Sequence, residues 1–444
     1  MKNLAAICLS VATVVALLLT ASFQTEAASI TWTNSSSGGW NTAANWSPNQ
    51  VPGANDTAII TNVGVTVSLN GATGAGAIIL GTSGPGTVTL SLAGQTLTLN
   101  GPLTVNPSGS FTVDGGTLSG YTNAVLSGTI GWTAGMLGGT LTLASGSTLN
   151  ITTANNHDLP NCTLTNNGTV AWASGTIRGG DDPGTVIYNY GLWDAQSDQT
   201  FNDAYADSGT VFNNFGTFRK SGSTGGNTTI ATTAFNNTGT IDVQTNSIIF
   251  QTDATFRPGS VFNGAGSTIL SSGNFNLNGA TINSTLQFNG GTIGGTNTLA
   301  GTFNWNNGSF IGATLIITIG GTLNIVGDND HDMPDCTLIN NGTVAWASGT
   351  IRGGGNPGTV IYNYGLWDAQ SDQTFNDAYA DSGTVFNNFG TFRKSGGADE
   401  GIANATEFQG WCSTSLPACW TCKTAPGLAP IVWTACECMR HGYI

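Results

Sequence analysis

Charge is scarce in this chain. Charged residues make up 8% of its 444 residues, and ten Lys plus Arg stand against 24 Asp plus Glu. So few cations exclude a phosphate-binding surface, and nucleic acid is ruled out as a partner. Glutamate is absent from 29 to 396. That removes the usual choice for a general acid of raised pKa, although Asp can serve. No segment keeps a helical period, and no apolar run after the N-terminus reaches membrane-spanning length. There is no phosphate loop, no Gly-x-Ser-x-Gly and no nucleophile–base set. Between the N-terminal segment and residue 411 the only cysteines are Cys162 and Cys336. They occupy equivalent positions of a repeat, too far apart along a coil stack to bridge, so both are expected as buried small hydrophobes.

What remains is turn and strand material. Glycine accounts for 64 residues, and Val, Ile, Leu and Phe alternate with Thr, Ser and Asn. Hydrophobics at 39% are too many for a disordered chain. Residues 155–222 recur at 329–396 with 62 of 68 positions identical. Each copy holds a finer repeat: TNNGTVAW, IYNYGLWDA and VFNNFGTFRK, followed in copy one by AFNNTGTIDV. The turn glycines Gly168, Gly191, Gly216 and Gly239 are spaced 23, 25 and 23 apart, and Gly342, Gly365 and Gly390 repeat the spacing.

A fixed period of this size means stacked units, each burying its apolar side against its neighbours. The expected fold is all-β: a right-handed parallel β-helix, or β-solenoid, of roughly 23–25-residue coils with an N-terminal cap. A propeller needs units of about 40 residues. At a coil spacing of about 4.8 Å, the offset between the copies makes about seven coils, or ~34 Å. The Asn–Gly turns are expected in one column. Asn would tolerate left-handed backbone and form an amide ladder, and Gly would supply positive φ. Trp172, Phe212, Phe215, Phe218 and Phe235 are expected inside. Residues 61–408 form the solenoid, 29–60 a Trp-rich cap and 409–444 an irregular Cys-rich tail.

Residues 1–28 read as a secretory signal: Lys2, the apolar stretch Leu4–Leu19, and a small-residue cleavage site near Ala27 or Ala28. The next segment, ITWTNSSSGGWNTAANWSPNQVPGANDTAII, carries Trp32, Trp40 and Trp46 ahead of Pro52–Gly53. It resembles the opening of large bacterial secreted β-repeat proteins, autotransporter-like and cell-surface proteins among them, and the repeat phrases NNGTVAW, FNNFGTFRKSG and FNNTGTIDV likewise resemble repeats of uncharacterised secreted proteins of this type. It implies export and a β-repeat body, not a reaction. Localisation is therefore expected to be secreted or cell-surface, with no membrane span in the mature chain. The three Trp rings could stack on sugars, but their place at the start of a coil stack suits an end-cap.

Five of the eight cysteines, Cys412 to Cys438, fall where the repeat pattern has stopped. Cys419–Ala425, read one frame over with permitted codons, spells LDVQNG, close to IDVQTN at 241–246. A shifted reading frame is the expectation. Its rivals are a disulfide cap, or a zinc module on Cys419, Cys422, Cys436 and Cys438.

The most polar stretch, DAQSDQTFNDAYADSG, holds the candidate site residues. Asp194, Asp198 and Asp203, with Asp368, Asp372 and Asp377 in copy two, could serve as catalytic carboxylates of a polysaccharide lyase or glycoside hydrolase. Asp203, Asp207, Asp377 and Asp381 could offer hard oxygens to Ca²⁺, the one cofactor considered. The favoured reading is a solvated loop with no cofactor. His157–Asp158 and His331–Asp332 could pair as a base, but a turn is the simpler reading before Pro. Arg178 and Arg352 could grip a sugar carboxylate. Arg219–Lys220 and Arg393–Lys394 read as exposed edge charges. Outward Thr87, Thr89, Thr96 and Thr98 raise ice or lattice binding, against irregular spacing.

A second copy of one site gives an enzyme little and gives a spacer or multivalent binder length and avidity. The expected function is an exported structural or adhesive β-solenoid rather than an enzyme, with a carbohydrate or cell-surface ligand as partner.

Overall fold

A computed structural model describes residues 27–397, apart from 278, 283–284 and 380–381, together with the backbone of 407–410 and 422–423. Strands alternate one inward with one outward residue, as in Thr169–Trp172, where Val170 and Trp172 are buried. Three short strands make one coil, and each pairs in parallel with its counterpart in the next. The fold is the parallel β-solenoid that the repeat spacing implies.

Within copy one the faces are easily named. The first face is built by Cys162–Asn166, Thr185–Asn189, Thr210–Asn214 and Ala234–Asn237. The second holds His157–Asp158, Ile177–Asp181, Thr200–Asp207 and Asn227–Ala231. The third holds Thr169–Trp172, Leu192–Ala195, Thr217–Lys220 and Thr240–Val243.

The interior is aliphatic in the early coils, and from Trp193 to Phe262 it is a run of aromatic rings in contact. Phe212 stacks on Phe235 at 5.1 Å and meets Trp193 and Phe218 edge-on at 5.0 and 5.4 Å. Phe212 and Phe386 are buried at equivalent places. Such offset and edge contacts add about 0.5–1.5 kcal/mol each beyond area burial. Phe215 departs from expectation: it is 45% exposed, because it occupies the turn position between Asn and Gly and points outward.

The buried asparagines form the expected ladder. Asn166 Nδ2 donates to Asn189 Oδ1, Asn189 to Asn214 and Asn214 to Asn237, at 2.7, 2.7 and 2.6 Å. Asn340, Asn363 and Asn388 repeat it at 2.6 and 2.7 Å. Left-handed backbone is not the reason for these residues, since none has positive φ. Nor do the turn glycines take positive φ. Their cause is crowding between coils: a Cβ on Gly191 would sit 2.1 Å from the Gly168 carbonyl oxygen, and one on Gly216 2.2 Å from that of Gly191.

The one-column expectation needs correcting between the copies. The second face runs on without a break through Ser247–Gln251, Ser267–Leu270, Thr285–Ile293, Thr302–Phe310 and Thr322–Ile325 to Thr343–Trp346. Thr343–Trp346 is the copy of Thr169–Trp172, which lies on the third face. The first face likewise leads to Asp330–Asp332, the copy of a second-face strand. Copy two is therefore turned by one face. The coils between the copies are shorter than those within them: the register partners Phe250, Leu270, Phe288, Trp305 and Ile325 follow one another at closer sequence intervals than Gly168, Gly191 and Gly216 do. The offset between the copies thus spans eight coils and one strand, or ~40 Å along the axis at about 4.8 Å per coil.

At the start, Ser29–Trp32 pairs in parallel with Thr57–Ile60 and antiparallel with Trp46–Ser47. Trp32, Trp40 and Trp46 are buried, with ring centroids 5.0 and 4.9 Å apart. At the far end, Glu407–Gly410 adds a parallel strand to Thr384–Asn388, and Cys422–Lys423 pairs with it antiparallel. The signal segment, and the cysteine-rich tail beyond these short strands, lie outside the described residues. Among the described residues no helix is long and apolar enough to cross a membrane.

Candidate functional site

Outward polar residues follow the coil register, so charge comes in rows. On the second face Asp158 pairs with Arg178 in the next coil. The guanidinium meets the carboxylate bidentately, at 2.7 Å from Nε and 2.9 Å from Nη2, and lies over the Tyr205 ring at 5.9 Å. Burial, then the Asp158 carboxylate, push the Tyr205 phenol up. Copy two rebuilds this with Asp332, Arg352 and Tyr379, and adds Asp330 to Arg352 at 2.8 Å. Both arginines are thus occupied by the protein's own carboxylates. His157 and Asp158 share a strand, so they point to opposite sides and form neither a base pair nor a turn. His157 is buried edge-on to Trp132 at 5.0 Å, and His331 to Trp305 at 4.9 Å. Burial holds both imidazoles below their ordinary pKa.

The third face carries Asp194, Arg219 and Asp242 in register. Arg219 bonds Asp242 at 2.9 Å, while Arg393 grips Asp368 with both nitrogens at 2.9 and 2.7 Å. The Arg393 guanidinium holds the Asp368 carboxyl well below the usual range. Lys220 is not an edge charge. Its side chain is 0% exposed and reaches Asp198 at 2.9 Å, the Ser197 carbonyl and Thr228. Asp198 also accepts from Ser223, Thr224 and the Gly226 amide. Burial alone would raise this carboxyl, but the bonds from Lys220, Ser223, Thr224 and Gly226 bring it well below the usual range. Lys394 meets Asp372 at 2.5 Å and the Ser371 carbonyl at 3.1 Å, but from an exposed position, as expected of an edge charge.

Asp203 accepts from the Thr210 amide at 3.0 Å and from its hydroxyl. Asp377 occupies the equivalent place on Phe375–Tyr379. Asp194 and Asp203 stand on different faces, with Asp198 in the loop between them. The Asp207 side chain and Asp381 lie outside the described residues. Among the described residues no group of three or more His, Cys, Asp or Glu could hold a metal. Cys162 and Cys336 are free and buried, and burial raises their thiols to about 12 and about 11. The buried Trp32, Trp40 and Trp46 offer no ring to a sugar. The Thr row is short: Thr96 pairs with Thr117, and Thr117 with Met136.

The first face of copy one differs from the other two. Its outward side chains are Thr163 and Thr165, Val186 and Tyr188, Val211 and Asn213, then Asn236, with no charge among them. At its corner Tyr190 and Phe215 stack at 4.9 Å, 54% and 45% exposed. Tyr364 and Phe389 repeat the pair at 5.0 Å, 52% and 48% exposed, beside Tyr362 and Asn387. Sequence reasoning missed these residues as a surface feature. The signal was present: the residue before the turn glycine is Asn167 or Thr238 in the flanking coils, but Tyr190 and Phe215 here.

Compared with protein-family models, curated proteins and solved structures, the chain matches none.

Proposed function

We propose that this chain is exported and works outside the cell as a rigid structural and adhesive rod. Its N-terminal Trp segment places it, on this reading, with secreted autotransporter-like β-repeat proteins. One observation carries the non-enzymatic part. The charged side chains of the duplicated unit bind each other: the bidentate Asp158–Arg178 pair recurs as Asp332–Arg352, Lys220–Asp198 recurs as Lys394–Asp372, and Arg219 and Arg393 each take an Asp of a neighbouring coil. Asp158, Asp198, Asp332 and Asp368 each serve a cation of a neighbouring coil or loop. A glycosidase needs two carboxyls flanking one bond, whereas Asp194 and Asp203 are held on separate faces. Repetition along a stiff axis supplies reach and avidity without new chemistry.

The test has two parts. Expressed with its leader in a bacterial host, the protein is expected in the medium or on the surface, beginning at Ala28 or Ser29. Beads coated with the purified mature chain should then adhere to cells or to polysaccharide surfaces. Retention in the cytoplasm with an intact leader contradicts export. Coated beads that adhere no better than albumin-coated ones contradict the adhesive role.

A further inference from the structure

The stacked rings at Tyr190–Phe215 and Tyr364–Phe389 have no structural task that the flanking coils need. Asn167 and Thr238 fill the same turn position beside the same glycine column. The core closes without these rings, since Phe212, Phe218 and Phe235 fill it. The copy-one pair also borders a face whose strands carry no outward charge, while Asp158, Arg178, Asp194, Arg219 and Asp242 stand on the other two; in copy two the corresponding face is uncharged from Thr337 to Asn388 and then meets Glu407, in register with Val385.

We propose that each of these two faces binds an uncharged glycan chain, with the aromatic pair as the stacking surface and Tyr188, Asn213 and Asn236 (Tyr362 and Asn387 in copy two) as hydroxyl partners. The proposal rests on the adhesive reading and names its ligand class. Ring faces and edges suit the C–H side of a pyranose. The tyrosine hydroxyls and asparagine amides can both give and accept hydrogen bonds, as sugar hydroxyls require. Asn236 already donates to Asn213 at 3.1 Å, which fixes the amide row along the axis.

Charge decides against acidic glycans. The chain carries a net charge of −14, and among the described residues the outward side chains of these faces include no cation for an anionic sugar. Area decides against a second copy of the chain. Two aromatic rings bury at most about 300–500 Å², short of the ~800 Å² per partner of a stable interface. The one-face turn decides against a flat lattice. With the two pairs ~40 Å apart along the axis and facing different ways, a plane can meet only one of them, whereas separate or flexible chains can meet both.

The experiment is native affinity electrophoresis of the mature protein in gels containing hydroxyethylcellulose, glucomannan, dextran or polygalacturonate. The variants are Tyr190→Ala with Phe215→Ala, Tyr364→Ala with Phe389→Ala, and all four together. All four positions are exposed, and circular dichroism checks that the coils remain. Retardation is expected with at least one neutral polymer and not with polygalacturonate. It should weaken at least about tenfold in the fourfold variant, with each double variant keeping the other copy's binding. Retardation that the fourfold variant retains, or retardation by polygalacturonate alone, overturns the proposal and leaves the adhesive reading standing. Concentration-dependent dimers lost in the variant, without glycan binding, overturn it in favour of self-association. No retardation in any gel overturns it as well, and coated beads that also fail to adhere take the adhesive reading with it.

Discussion

Replacing Gly191 with Ala isolates the force that shapes this stack. Its backbone is not left-handed, so the substitution carries no φ penalty. The new Cβ would lie 2.1 Å from the Gly168 carbonyl oxygen and 3.0 Å from the Asn167 carbonyl carbon. An ordinary carbon–oxygen approach is about 3.3–3.6 Å, so the coils must part by roughly 1 Å. That movement strains the bonds from the Tyr190 and Leu192 amides to Asn166 and Gly168 oxygens, at 2.8 and 2.9 Å. It also strains the Asn166 side-chain bond to the Leu192 carbonyl, at 3.0 Å. Three weakened bonds at about 1 kcal/mol each give a loss near ~3 kcal/mol. Gly64→Ala is the control: its φ is +85° with nothing within 4 Å of the added carbon, so only the left-handed cost of about 1–2 kcal/mol applies. Long repeat arrays do not unfold in one step, so amide hydrogen exchange around each site is the assay. Exchange at 185–195 should rise more in Gly191→Ala than exchange around 64 does in Gly64→Ala. Equal or smaller protection loss at 191 would refute the crowding argument.

Other expectations follow from the same geometry. Phe212→Ala should cost roughly 3–5 kcal/mol as a large-to-small core change, read as a lower urea midpoint. Lys220→Ala leaves Asp198 without its buried cation and should cost about 3–5 kcal/mol, whereas Arg219→Ala, at a half-exposed pair, should cost about 1 kcal/mol or less; similar losses in thermal melts would contradict the assignment. His157 and His331 have folded pKa values below the ordinary 6.5. The unfolded chain therefore takes up protons first, and stability should fall as pH drops below about 6.5 and until the folded values are passed. The double His→Gln variant should flatten that slope, and an unchanged slope would assign it to carboxylates. Purified protein should leave pectin, alginate and β-glucans uncut with or without Ca²⁺. Cleavage abolished by Asp194→Ala together with Asp368→Ala would make the chain an enzyme.

The spacing of the Asn–Gly turns carried the fold, because so short a fixed period admits little besides stacked coils. The amide ladder was legible from the same letters. Its partner glycines were read for the wrong reason, since close approach between coils leaves the same sequence mark as positive φ. Phe215 was assigned inward because hydrophobicity alone does not distinguish a strand position from the turn beside it. Lys220 looked exposed for the converse reason: its carboxylate partner, Asp198, lies a full coil away in sequence. The turn of copy two by one face was hidden because it depends on the lengths of the intervening coils, whose Asn–Gly pairs at 263, 278, 289 and 307 do not keep the regular spacing of the copies. The paired charges were visible as letters, but their pairing depends on register across coils.

The distance between the two copies tests the account most directly. Nitroxide labels at Tyr190→Cys and Tyr364→Cys, with the tail cysteines replaced by serine, report it by pulsed dipolar spectroscopy. Eight coils and one strand at about 4.8 Å predict a narrow distribution at ~40 Å or slightly beyond, the excess coming from the one-face turn. A distance under about 30 Å, or a broad distribution, would contradict a continuous parallel stack holding both copies on one axis.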